Sequence, residues 1–233
     1  MNLETHITFD DVLLVPQYSD ISSRSEVTLE SELSEGMNLR VPIISAPMDT
    51  VCGRLMATRM AEFGALGIIL RYNTVDKQAS MVAAASETGL KNVGAAIGIT
   101  GDYIERAAAL INAGASCLCL DVAHGDHILM HVGAHNIVDK FGDKAHIMAG
   151  NIATYTGALA LGQIGVDSIR VGIGGGSICS TRIQTGHGMP TLASVIECAR
   201  AKEKYPNIKI VADGGIKTSG DMVKALAAGA DFV

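Results

Sequence analysis

The chain has 233 residues, of which 48% are hydrophobic and 18% charged, so it can bury a core of single-domain size and is not a disordered protein. Its formal net charge is -6 and it has no run of three basic residues, which excludes the usual basic surface of a nucleic-acid-binding protein. No apolar run approaches the roughly 18 residues of a membrane span, and acidic residues stand where a signal peptide carries basic ones. We therefore expect a cytoplasmic protein without a nucleic-acid or membrane partner.

Short apolar runs alternate with longer amphipathic segments, which is typical of a parallel sheet built from βα units. The predicted strands are Val41–Ser45, Leu66–Leu70, Val93–Ile97, Cys117–Asp121, His146–Ala149, Ser168–Val171, Ile208–Ala212 and a last one that starts near Asp231. The predicted helices between them are Leu55–Phe63, Val75–Ser86, Tyr103–Asn112, Thr156–Gln163, Leu192–Lys204 and Gly220–Ala228.

Seven βα units followed by an eighth strand predict a (β/α)8 TIM barrel, with residues 1–233 as a single domain. Because the sequence ends within the eighth strand, we expect the barrel to be truncated there and to lack its last helix. An open, doubly wound sheet is the alternative, although the chain shows no obvious point at which the strand order would reverse.

The five cysteines are an odd number in a chain without an export signal, which favours free thiols over disulfides. We interpret Cys117 and Cys119 as small core residues and Cys52 and Cys198 as packing residues. His127, His131 and His135 recur every four residues and would share one face of a helix. A solvated helix surface is favoured over a metal site, because no acidic residue completes a zinc-binding pattern.

Active sites of TIM barrels lie at the carboxyl ends of the strands. The sixth predicted strand is followed by GIGGGSICSTR over residues 172–182, in which the glycines expose backbone N–H groups to an anion and Ser177 adds a hydroxyl. Cys179 stands in this loop near Arg182, a setting that favours the nucleophilic thiolate. The plainer alternative is a flexible glycine loop with an incidental thiol.

Three neighbouring strands are followed by further polar groups. Asp213, Gly214 and Gly215 follow the seventh strand, and this spacing suits a phosphorylated ribose, with N–H donors for the phosphate and a carboxylate for the sugar hydroxyls. Asp121 ends the fourth strand and Asn151 follows the fifth. Each alone is more often a loop cap, but their positions on consecutive strands predict one shared site.

The segments TFDDVLLVP (residues 8–16), SAPMDTV (45–51), the cysteine loop and ADGGI (212–216) resemble the IMP dehydrogenase/GMP reductase family, and the resemblance runs along the whole chain. It implies a TIM barrel in which Cys179 attacks C2 of a purine nucleotide and hydride moves between C2 and a nicotinamide cofactor. It implies catalytic roles for Cys179, Thr181 and Asp121. By the same resemblance, the substrate-binding residues are Met48, Gly176, Ser177, Asp213, Gly214 and Gly215, and the cofactor-binding residues are Asp121, Asn151 and Arg170.

The resemblance also implies a homotetramer and a monovalent cation, potassium, held by the backbone carbonyls of Gly174, Gly176 and Cys179. The cysteine loop and the helix after it depart from the family pattern at Gly175, Ser180, His187 and Thr191.

Two activities fit the resemblance. The absence of an inserted pair of CBS modules after the second strand, and the segments 119–123 and 195–199, favour GMP reductase, which uses NADPH to convert GMP to IMP. The alternative is an IMP dehydrogenase that uses NAD to form XMP, because the N-terminal third and residues 208–227 look more like that enzyme, and Arg170 stands where reductases tend to have lysine. A catalytically silent nucleotide-binding protein is a third hypothesis, because the family's second phosphate-binding loop and flap would follow Val233.

Overall fold

The structure is a computed structural model that describes residues 5–87, 89 and 92–233. Two short antiparallel strands, β1 (Ser31–Ser34) and β2 (Met37–Leu39), form a hairpin that the sequence did not predict. Its apolar residues Leu33 and Leu39 are buried. Residues 34–37 share a surface cavity with Ser116 and Ala145, which directly precede two barrel strands, so the hairpin covers the N-terminal end of the barrel.

Seven parallel strands follow in sequential order. They are β3 (Ile44–Ser45), β4 (Leu66–Ile69), β5 (Val93–Ile97), β6 (Cys117–Asp121), β7 (His146–Ile152), β8 (Ser168–Val171) and β9 (Lys209–Ala212).

The last two residues of the chain close this sheet. Phe232 forms a parallel bridge with Val211 of β9. Val233 accepts a hydrogen bond from the amide of Ile44 at 2.8 Å and donates one to the carbonyl of Pro42 at 3.0 Å. The eighth strand therefore begins where the sequence predicted it and joins β9 to β3. The prediction of a (β/α)8 TIM barrel is confirmed, and the open doubly wound sheet is excluded.

The helices lie on the outside of the barrel, between the strands in sequence. They are α1 (Arg54–Glu62), α2 (Val75–Ser86), α3 (Tyr103–Asn112), α4 (Ile128–Phe141), α5 (Tyr155–Ile164), α6 (Thr181–Thr185), α7 (Thr191–Ala199) and α8 (Ser219–Ala227), with 3-10 turns at Phe9–Asp11, Arg24–Glu26 and Arg200–Glu203. The predicted helix Leu192–Lys204 is thus α7 followed by a 3-10 turn. In the part of the chain that the structure describes, no helix is long and apolar enough to cross a membrane.

The buried apolar residues form two clusters, one inside the barrel and one between the strands and the helices. The inner cluster contains Cys117, Cys119, Met148 and Phe232 together with the hairpin residues, and the outer cluster joins the strands to the helices. The helix predicted from the histidine spacing is α4, for which the His127 side chain accepts a hydrogen bond from the amide of Leu129. Among the described residues, no group of three or more His, Cys, Asp or Glu side chains could hold a metal ion.

Candidate active site

The carboxyl ends of β6 to β9 and the loop after β8 surround one cavity of about 380 Å3, which we call the thiol cavity. It brings together most of the residues that the sequence singled out. Its lining includes Met48, Asp121, Asn151, Arg170, Gly174, Gly176, Cys179, Thr181, Asp213 and Gly214. The structure therefore brings the polar groups at the ends of these strands to one cavity.

The cysteine loop lies close against the end of β9. The amide of Asp213 donates to the carbonyl of Val171 at 2.8 Å, and a Cβ on Gly172 would stand 2.0 Å from the carbonyl oxygen of Asp213. Gly172 also has a φ of 146°, which L side chains rarely adopt. Only glycine fits here, and the close approach fixes where the loop leaves the barrel.

Cys179 carries the one thiol that is both partly exposed and activated. The hydrogen bond with the Thr181 side chain lowers the pKa of Cys179, partial burial opposes this, and the backbone of Thr181 and Gly174 and the charge of Arg182 lower it further. By contrast, the four other cysteines are buried and free, and burial raises their pKa values; they are Cys52, Cys117, Cys119 and Cys198. The thiolate is the nucleophilic form, so the site favours reaction at Cys179.

A buried guanidinium holds the two carboxylates of the cavity in place. Arg170, whose side chain is 7% exposed, donates to Asp121 Oδ1 at 2.8 Å and to Asp213 Oδ2 at 2.8 Å. Asn151 Nδ2 donates to the same Asp213 oxygen at 2.6 Å and to the carbonyl of Gly172 at 2.8 Å. Burial alone would lower the pKa of Arg170, but the carboxylates and the neighbouring Cys119 raise it well above its usual range. Arg170 is therefore charged and acts mainly by positioning carboxylates.

A second cavity of about 270 Å3, which we call the anion cavity, adjoins the first, and Gly175 lines both. The residues predicted around the phosphate are divided between the two cavities. Ser177 and Gly215 line the anion cavity, and Gly176 and Gly214 line the thiol cavity. Sequence reasoning missed the remaining residues that line the anion cavity, which are Thr8, Phe9, Asp10, Pro190, Thr191, Ile216 and Lys217. The basic Lys217, close behind the two glycines, was a signal in the sequence, and its Nζ lies 3.2 Å from Asp10 Oδ2 of the same lining.

Two of the three carbonyls predicted to bind potassium, those of Gly174 and Gly176, already accept a hydrogen bond from a side chain. Arg182 Nη1 donates to the carbonyl oxygens of Gly174 and Gly176, the latter at 2.8 Å. The amide of Cys179 also donates to the Gly176 carbonyl at 3.2 Å. In this arrangement the residues present do not fit a bound cation, because a positively charged guanidinium already donates to two of the three carbonyls. Potassium stays a prediction from the family resemblance, and no step of the chemistry below uses it.

Fold and site together define a TIM-barrel protein with a partly exposed thiol of lowered pKa in a glycine-rich loop at the carboxyl ends of the strands. Comparison with known proteins identifies its family. The family model described as the IMP dehydrogenase/GMP reductase domain matches residues 6–233, and the chain belongs to this family.

The relatives carry the names of both enzymes. Over 356 aligned positions the chain is 31% identical to an inosine-5'-monophosphate dehydrogenase from Nitrosopumilus maritimus, covering 100% of this chain and 74% of that protein. It is 38% identical to a GMP reductase from an Enterobacter species, covering 97% of this chain and 66% of that protein. A crystal structure of a GMP reductase cysteine-to-alanine variant from Trypanosoma brucei superposes with a TM-score of 0.91 at 25% identity, covering 99% of this chain and 80% of that one.

Proposed function

We propose that the protein is a GMP reductase, which converts GMP to IMP with NADPH through a covalent bond between Cys179 and C2 of the purine. The observation that carries the proposal is the activated Cys179 thiol, which faces a cavity joined to an anion-binding loop. Relatives are named for both reactions, so the family does not choose between them. The reductase is favoured because β4 passes through α2 directly to β5, where IMP dehydrogenases usually carry an inserted pair of modules.

The two cavities suit the two ends of a purine nucleotide. The base would lie in the thiol cavity against Cys179 and Met48, and the phosphate would lie in the anion cavity near Ser177 and Gly215. The hydrogen bonds from Arg170 and Asn151 both end on Oδ2 of Asp213, so Oδ1 of Asp213 can accept from the ribose hydroxyls. In this orientation, C2 of the base would lie next to the thiol.

In the proposed reaction, the Cys179 thiolate forms a bond to C2 and the 2-amino group leaves as ammonia. Hydride then adds to C2 and the bond to sulfur breaks, which returns the thiolate. Overall, GMP, NADPH and two protons give IMP, NADP+ and ammonium. The Thr181 hydroxyl, which hydrogen-bonds the Cys179 thiol, stabilises the thiolate before attack and as it leaves.

The walls of the thiol cavity offer an aromatic ring and polar groups that would suit a nicotinamide ring. Tyr72 is 66% exposed with the Arg71 guanidinium 4.6 Å from its ring centre, and both residues line the cavity beside Asp121. The flat aromatic surface and the polar groups of Asp121 and Asn151 would hold the ring and its carboxamide. When bound, the cofactor supplies the hydride.

The proposal treats residues 1–233 as one barrel domain without an inserted module. The homotetramer and the cytoplasmic location stay predictions from the family resemblance and the composition.

The test measures the absorbance of the reduced nicotinamide in two parallel assays, GMP with NADPH and IMP with NAD plus potassium. We expect oxidation of NADPH that depends on GMP, with release of ammonium, and loss of that activity in Cys179→Ala. The matched control is Cys198→Ala, which removes a thiol on α7 that is not among the residues lining either cavity.

Reduction of NAD by IMP alone would replace the proposal with the dehydrogenase. If neither pair reacts but GMP or IMP still binds, the protein is a silent nucleotide-binding protein and the proposal is wrong.

A further inference from the structure

Thr191, the first residue of α7, carries a hydroxyl that the fold does not use. The residue is 4% exposed, and its Oγ1 is buried without a hydrogen-bond partner among the described residues. Buried polar groups of native proteins nearly always have a partner, because an unpaired one destabilises the folded state. Since Thr191 lines the anion cavity, the missing partner can be a ligand of that cavity.

The hydroxyl lies between the backbones of two glycines. A Cβ on Gly175 would stand 2.1 Å from Thr191 Oγ1, and a Cβ on Gly215 would stand 3.5 Å from it. Any side chain at position 175 would therefore collide with the hydroxyl. Gly175 and Thr191 therefore lie in direct contact beside the anion cavity.

The surroundings of Thr191 favour an anion. The cavity is also lined by Ser177 and by Lys217, whose Nζ lies 3.2 Å from Asp10 Oδ2 of the same lining, so the positive charge that is not already paired comes from the start of α7. Helix α7 has nine residues, and Pro190 before it provides no side-chain cap, so the amides of the first turn add partial positive charge. A hydroxyl in this position is suited to donate to a phosphate oxygen.

We propose that Thr191 is a phosphate-binding residue, whose hydroxyl donates to an oxygen of the 5'-phosphate of the nucleotide. Gly175 leaves the space in which this hydroxyl stands. The inference rests on the proposed function for the identity of the ligand and adds the residue that selects for its phosphate. The hydroxyl is unpaired in the free protein and paired in the complex. Its removal should therefore leave the stability of the free protein unchanged or raise it, and should lower the affinity for the nucleotide.

The experiment compares two variants that each remove one buried, unpaired hydroxyl from α7. Thr191→Val keeps the shape of the side chain. Ser194→Ala is the control, because Ser194 is 0% exposed, its Oγ also has no partner among the described residues, and it is not among the residues lining either cavity. Isothermal titration calorimetry measures the affinities for GMP, IMP, guanosine and inosine, and thermal unfolding is measured without ligand.

For Thr191→Val we expect about a tenfold loss of affinity for GMP and IMP, the effect of one hydrogen bond to a charged group, and no loss for the nucleosides. Without ligand, this variant should unfold at the same temperature as the wild type or above it. Thr191→Ser should keep the nucleotide affinity, and Ser194→Ala should change no affinity.

Wild-type affinity for GMP and IMP in Thr191→Val would overturn the inference. An equal loss for nucleotides and nucleosides would also overturn it, since that would indicate a structural role. So would a wild-type protein that binds nucleotides no better than nucleosides. Failure of the proposed function is separate: it would appear as phosphate-dependent binding, weakened in Thr191→Val, without turnover of either substrate pair.

Discussion

Replacing Arg170 with methionine should destabilise the barrel strongly. The change removes hydrogen bonds at 2.8 Å to each of Asp121 and Asp213 and leaves their carboxylates facing a space without the guanidinium. Breaking a buried ion pair costs about 3–5 kcal/mol, because the remaining charge keeps its burial and loses its partner. The two carboxylates are 21% and 25% exposed, so water reaches them in part, and the nearby Arg71 lies 3.5 Å from Asp121. We therefore expect the lower end, about 3 kcal/mol.

Urea unfolding of the wild type, Arg170→Met and Arg170→Lys measures this effect. Lysine keeps the charge but lacks the planar fork that reaches two carboxylates at once, so an intermediate loss of about 1–2 kcal/mol is expected. Adding Asp121→Asn and Asp213→Asn to Arg170→Met should restore part of the stability, because both carboxylate charges are then removed and Arg71, which loses Asp121, is partly exposed. If Arg170→Met unfolds within about 0.5 kcal/mol of the wild type, the network does not hold the cavity as argued, since surface substitutions have effects of that size.

Three other predictions follow from the described side chains. Iodoacetamide should label Cys179 first in the native protein, and the pH at which the labelling rate is half its maximum should lie below the pKa of an ordinary thiol and rise in Thr181→Val. Peptide mass spectrometry would contradict this if it found that a buried cysteine reacted first. Burial, and then Lys209, lower the pKa of His146 from 6.5 to about 3, so the unfolded state binds the proton first and stability falls as the pH drops through that interval. His146 should contribute up to about 1.4 kcal/mol per pH unit to the slope of the free energy of unfolding against pH, and His146→Gln should lack this contribution. Urea unfolding over a pH series measures both slopes, and equal slopes in the wild type and the variant would refute the prediction. Because Arg182 occupies the loop carbonyls, the labelling rate should be the same in potassium and choline salts, and acceleration by potassium would show that the guanidinium yields to the cation.

Much of the barrel could be predicted because its strands are buried on both faces. Three strands are short, almost fully buried runs between turn residues, and each was predicted with the bounds that the structure shows. They are Val93–Ile97, Cys117–Asp121 and Ser168–Val171. The hairpin β1–β2 was missed for the opposite reason. Its strands are short and mostly polar, and Leu33 and Leu39 become buried only because the barrel opening lies beneath them.

The site was predicted as far as it follows the strands. Asp121, Asn151 and Asp213 could be found because each stands at or just after the end of a buried run. Phe9 and Thr191 could not be found in this way, because they reach the anion cavity through packing of distant segments. The sequence placed Arg182 near the thiol, but its hydrogen bonds to Gly174 and Gly176 depend on the path of the loop, which no local pattern specifies.

The groups that activate the thiol and the groups that hold the carboxylates belong to different parts of the molecule. Thr181, Gly174 and Arg182, which lower the pKa of Cys179, all lie within the loop and the first turn of α6. The carboxylates are held by Arg170 from inside the barrel, and the loop meets them at the backbone contact between Gly172 and Asp213. The groups that lower the pKa of the thiol are therefore different from the groups that hold the buried ion pairs, and the two sets meet through backbone packing.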